Sequence, residues 1–92
     1  MRIHELKCWP EPFRALREGL KTYEIRSTAD RHFSIGDILY LREWNPDCSA
    51  ESAYTGHAEL RVVVYMTSGS KWGLPPQLCV MGLRPVVAEV PK

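Results

Sequence analysis

Apolar and polar residues alternate over Ile3–Cys8, where Leu6 and Cys8 interleave with Glu5 and Lys7. That is the pattern of a short, half-buried strand. Trp9-Pro10-Glu11-Pro12 ends it, because proline adds no donor to a ladder. The same prolines suit the first turn of a helix, where the missing N–H has no partner to lose. Phe13, Leu16 and Leu20 follow at helical spacing, with Arg14, Arg17 and Glu18 on the other faces. Gly19 suits the left-handed residue that closes a helix. The spacing therefore predicts a helix over residues 11–18. Lys21–Ser27 returns to a period of two. Its apolar members, Tyr23 and Ile25, are expected to face the core, with Thr22, Glu24 and Arg26 on the opposite side.

Thr28–Arg31 is polar, and Ile35-Gly36-Asp37 predicts a tight turn feeding a strand over Ile38–Trp44. Asn45–Gly56 reads as a loop rich in Asn, Pro, Asp, Ser and Gly. Ala58–Thr67 is the longest predicted strand. Leu60, Val62, Val64 and Met66 share one face, and Val63 and Tyr65 make the other face apolar too, so its middle is expected to be covered on both sides. Ser68–Pro76 reads as another loop, and Leu78–Leu83 and Val86–Val90 as closing strands. The tally of about six short strands and one early helix predicts an α+β fold. A curled sheet or small barrel, with the helix against one end or side, buries the apolar faces best. The expected core joins Tyr23, Ile25, Leu39, Leu41, Leu60, Val62 and Val64, with Phe13 and Leu16 packed against it.

Composition narrows the function classes. The 92 residues are expected to form one domain over 1–92. A net charge of +1 argues against a basic nucleic-acid tail or an acidic solvating tail. The longest strictly apolar run, Val62–Met66, falls far short of the ~20 residues that span a bilayer, and the charged N-terminus lacks a signal-peptide core. No membrane partner is expected. Cys8, Cys48 and Cys79 are odd in number and widely spaced, which predicts free thiols and a cytoplasmic location. Cys8 and Cys79 sit in strand patterns and read as small buried hydrophobes. The histidines and cysteines have no metal-ligand spacing, and no glycine-rich phosphate loop is present, so neither metal nor cofactor is expected.

The densest polar pattern is Gly19-Leu20-Lys21-Thr22-Tyr23-Glu24-Ile25-Arg26. Thr22, Glu24 and Arg26 lie on one strand face, neighbours about 6.5–7 Å apart, with Lys21 at its start. A lysine beside a glutamate can hold a phosphate or carbonyl while the glutamate accepts a proton. The plain alternative is a solvated face with surface ion pairing. Lys7 with Trp9, and Arg42-Glu43-Trp44, place aromatic rings beside charges, which suits base stacking with nearby phosphate contacts; the alternative is packing. Arg31 reads either as a loop anchor or as a ligand contact.

Together His4-Glu5-Leu6-Lys7, Trp9-Pro10, Phe13, Gly19-x-Lys21-Thr22-x-Glu24-x-Arg26, Asp30-Arg31-x-Phe33, Gly36-Asp37 and Leu41-Arg42-Glu43-Trp44 resemble the ASCH-type domains of the PUA-like superfamily. The likeness is to a small bacterial and phage branch and includes Tyr54-Thr55-Gly56, Gly73-Leu74 and Val80-Met81. It spans about Ile3–Leu83. The resemblance implies a PUA-like β-barrel with the early helix beside a cleft lined by the G-x-K-x-x-E-x-R strand. By analogy it implies RNA binding. Relatives include ribonuclease-like members and an amidohydrolase acting on acetylated cytidine, whose lysine is matched by Lys21 but whose threonine falls at Glu24.

The expected function is thus a module binding RNA or a modified nucleotide in a charged cleft, with Lys7, Trp9, Lys21, Thr22, Glu24, Arg26, Arg31, Glu43 and Trp44 as ligand contacts. One alternative is a small hydrolase of nucleosides or RNA, with Lys21 and Glu24 as the catalytic candidates. Another is a protein-interaction module. The sequence leaves the oligomeric state open.

Overall fold

The computed structural model describes residues 1–87. In chain order the elements are β1 (Ile3–Cys8), α1 (Pro10–Arg17), β2 (Tyr23–Ser27), β3 (Ile38–Trp44), β4 (Tyr54–Ser68) and β5 (Leu78–Pro85). The fold is α+β. The five strands form one sheet in the order β1-β3-β4-β5-β2, with β1 parallel to β3 and the other pairs antiparallel. About six strands were expected. Of the expected strand Val86–Val90, Val86 and Val87 are not in a strand, and residues 88–90 lie outside the described residues.

The sheet curls into a half-barrel. Its two edges, β1 and β2, stand at opposite ends of the strand order yet meet through side chains. Arg26 Nη2 donates to the Lys7 carbonyl at 2.8 Å, and Arg31 Nη1 to the Glu5 carbonyl at 3.2 Å. Two guanidinium groups thus span a seam that backbone pairing would close in a full barrel.

Helix α1 lies on the concave side. Pro10 opens it, and Phe13 N–H donates to the Trp9 carbonyl at 2.9 Å. At its other end Leu20 N–H returns to the Ala15 carbonyl (2.9 Å) and Gly19 N–H to Leu16 (3.1 Å), with Gly19 at φ +79°. This is the Schellman closure, and it needs a left-handed residue at Gly19. The helical stripe buries Phe13 and Leu16, while Leu20 lies past the closure and is exposed.

Leu39 and Leu41 of β3 sit at the centre of the core with Phe13 and Leu16. Across the sheet the same face carries Leu6, Cys8, Val63, Cys79, Met81 and Leu83. The expectation for β4 is corrected. Ahead of a bulge between Val63 and Tyr65, its inward positions are Glu59, Arg61 and Val63, because Leu41 pairs with Glu59 and Leu39 with Arg61. Leu60 and Val64 are exposed and Val62 only half-buried. Polar residues are tolerated inside here because α1 satisfies them. Arg61 Nη2 donates to the Leu16 carbonyl at 3.0 Å, and Arg17 pairs with Glu59 at 3.4 Å.

The turn before β3 is tied by Asp37. Its carboxylate accepts from Arg2 N–H (3.0 Å) and Ser34 N–H (3.0 Å), and lies 2.8 Å from His4 Nε2 on β1. Gly36 takes φ +96°, a conformation costly for any residue with a Cβ.

Candidate functional site: a cationic cleft beside the seam

The site begins with how β2 is oriented. Glu24 pairs with Met81, and Arg26 with Cys79, both partners buried in the core face of β5. Glu24 and Arg26 therefore point inward. Tyr23 and Ile25, expected in the core, are 46% and 52% exposed, whereas Glu24 is 3% exposed. The physical reason is that β2 is an edge strand curling over the concave side, where its charges find partners. Lys21 Nζ donates to one Glu24 oxygen, and Arg26 Nε donates to the other at 2.8 Å. A buried carboxylate needs such partners on both oxygens. Lys21 reaches it because the Schellman closure delivers the chain from α1 directly to the start of β2.

Around this carboxylate opens a cleft of about 470 Å³. Cys8, Trp9 and Pro12 line it from the end of β1 and the start of α1; Lys21 lines it from the connection before β2, and Tyr23, Glu24 and Arg26 from β2 itself. Trp9 stands at its edge, 59% exposed. Lys7 contributes to the lining, while its ammonium lies 4.6 Å from the centre of the Trp44 ring. Burial pushes the Cys8 thiol above its ordinary value, and the nearby Glu24 carboxylate pushes it the same way. Cys8 is thus a neutral wall of the cleft and a poor nucleophile. Cys79 is likewise raised by burial, and all three cysteines are free, Cys48 alone being exposed.

The structure brings together Lys7, Trp9, Lys21, Glu24 and Arg26 of the expected contacts. It sets the other four apart. Arg31 borders a smaller cavity of about 210 Å³ with Phe33 and Asp30, on the other side of Arg26. Thr22 is exposed and gives its carbonyl to Leu83 N–H. Glu43 accepts from the Thr55 hydroxyl at 2.6 Å, and Trp44 is covered by Lys7. Tyr23 and Ile25 were missed as lining residues, because their apolarity assigned them to the core. The sequence signal that could have found them is the Lys21/Glu24/Arg26 triad, since one carboxylate flanked by two cations can itself be buried. Among the described residues no group of His, Cys, Asp or Glu is arranged to hold a metal, and no helix is long and apolar enough to cross a membrane.

A family model described as a domain of unknown function, DUF3850, matches residues 3–83. The chain belongs to the DUF3850 family. The matched region takes in every strand but the last residues of β5, so the cleft of this DUF3850 domain lies wholly within the family's span. A comparison with curated proteins finds no match.

Proposed function

We propose that this DUF3850 domain is a binding module for a nucleotide, free or within a short RNA, and that it is an ASCH-type member of the PUA-like superfamily. One observation carries the reading: a cleft with a buried carboxylate flanked by two cations at its floor and an exposed tryptophan at its edge. Its volume of about 470 Å³ suits a small ligand. Lys21 and Arg26 together carry more charge than Glu24 neutralises, so the floor favours an anionic or carbonyl-bearing group. Glu24 has lone pairs left to accept from a base amine, and Trp9 offers a face for stacking.

Binding is favoured over hydrolysis because Glu24 already holds two charge-assisted hydrogen bonds, a poor starting arrangement for a proton acceptor. The near-neutral net charge favours one nucleotide in a cleft over a long phosphate track.

A thermal-shift panel of nucleotides, modified nucleosides and short RNAs, followed by titration calorimetry, tests the reading. Lys21→Ala is expected to abolish the ligand shift and also to lower the unliganded melting point, because it strips the partner from one oxygen of the buried Glu24, so folding of the variant is checked by far-UV circular dichroism. Affinity should fall with salt at a log–log slope of about −1 to −2, from one or two phosphate contacts. A retained response in both Lys21→Ala and Glu24→Ala refutes the site. Turnover of a bound nucleoside would favour the hydrolase instead.

A further inference from the structure

The seam between β1 and β2 holds a second cavity, of about 210 Å³. Both struts border it: Arg26, which reaches the Lys7 carbonyl, and Arg31, which reaches the Glu5 carbonyl. Leu6 and Phe33, both buried, give it an apolar wall, and Ser27 and Asp30 give it oxygen acceptors. Arg26 and Ser27 also line the larger cleft, so the two cavities adjoin across the Arg26 side chain. Among the described residues, the bonds of Arg26 use Nε and Nη2, and those of Arg31 use Nη1 alone. Nη1 of Arg26, and Nε and Nη2 of Arg31, thus keep donors for a further acceptor. The strand edge adds more. A strand residue turns its N–H and C=O to the same side, so the N–H groups of Glu5 and Lys7 face the seam with their carbonyls. Among the described residues no strand pairs with β1 on that side.

We infer that this seam cavity is a second subsite for the ligand of the cleft. It takes the base or ribose of an adjoining nucleotide, and the phosphodiester that links the two sits on the guanidinium groups of Arg26 and Arg31. The ligand is then a strand of at least two nucleotides rather than a free mononucleotide. The inference rests on the reading of the cleft as a nucleotide site. Three observations carry it. The first is size. A volume of about 210 Å³ falls below the ~300 Å³ at which pockets for whole small molecules begin, so the cavity takes a fragment whose remainder lies in the cleft beside it. The second is charge. Two guanidinium groups border the cavity, one of them on the divide, and their planar forks match a phosphate. Asp30 would repel a phosphate placed inside the cavity; its oxygens instead accept from a ribose hydroxyl or a base amine. The third is polarity. The wall of Leu6 and Phe33 suits the flat of a base or the carbon face of a ribose, and an inorganic anion alone would gain nothing from it.

Titration calorimetry on the intact chain tests this by comparing ribonucleoside 5′-monophosphates with dinucleotides that extend each on its 3′ or 5′ side. The expected result is about tenfold tighter binding of a dinucleotide, the order that one more held base supplies. Arg31→Gln should erase that gain and leave monophosphate affinity within about twofold, which also shows that the variant is folded. Asp30→Ala, which leaves both strut bonds in place, should reduce the gain about threefold with monophosphate affinity again unchanged. Monophosphates that bind as tightly as every dinucleotide overturn the second subsite and leave the reading of the cleft standing. So does a gain that survives intact in either variant, which would put the added nucleotide elsewhere on the surface. Binding of neither class overturns the nucleotide reading itself, and this inference with it.

Discussion

Asp37 ties three segments with one carboxylate: the backbone at Arg2, the turn at Ser34 and the His4 ring on β1. Burial pushes its carboxyl up, but the hydrogen bonds from His4, Arg2 and Ser34 outweigh burial, and its pKa ends below the ordinary value. The sign of the linkage follows. A carboxyl whose pKa is lowered on folding contributes stability that is fully present above its unfolded value of about 3.9, and that is lost as pH falls through the folded value. Asp37→Asn is therefore expected to cost about 1–3 kcal/mol at neutral pH, through imperfectly paired buried donors. It should also flatten the acid limb of stability below about pH 4. Urea unfolding from pH 2.5 to 7 checks both; parallel acid limbs in the two proteins would refute the linkage. His4 and Asp37 both lie in motifs that the sequence made visible, but nothing in their spacing of thirty-three residues said that they pair.

At the scale of the element, the end of α1 places the site. Gly19 closes the helix in the left-handed region, and the chain then turns so that Lys21 stands over Glu24. A Cβ at Gly19 meets nothing within 4 Å, so Gly19→Ala is disfavoured by backbone conformation alone. The expected cost is about 1 kcal/mol, with Gly19→Asn losing less. Denaturant midpoints should shift with the m-value unchanged; an Ala variant as stable as the parent would contradict the closure. This helix was legible because prolines and a glycine bracket it. The strand after it was legible as a strand but not in its facing. Alternation separates Tyr23 and Ile25 from Glu24 and Arg26, yet it is silent on which set is inside. Hydrophobicity chose the wrong set here, because ion pairing with Lys21 and Arg26 lets Glu24 occupy the inner face.

The whole molecule is held in its curl by contacts that no strand contains. Arg26 serves both the cleft, through Glu24, and the seam, through the Lys7 carbonyl; Arg31 adds a second strut at Glu5. Removing both in Arg26→Met/Arg31→Met is expected to cost about 3–5 kcal/mol, since the exposed seam bonds are lost and one oxygen of the buried Glu24 carboxylate loses its partner. Faster amide exchange confined to the β1 and β2 edges should accompany it. Uniform acceleration across the sheet, or none at the edges, would show that the struts do not hold the seam. The sequence by itself determined the elements. Period-two and helical spacing, the prolines and Gly19 act over a few residues, so β1, α1, β3 and the middle of β4 were readable, and so were the α+β class and the residues dense enough in charge to form a site. Only the tertiary structure decided which face of β2 and β4 is inside, that the sheet stops at a half-barrel, and which expected contacts share a cleft. Those outcomes depend on the bulge at Val63/Tyr65, on α1 satisfying Arg61, and on β2 meeting β1 from the far end of the sheet. Each joins residues far apart in the chain, where local spacing carries no information.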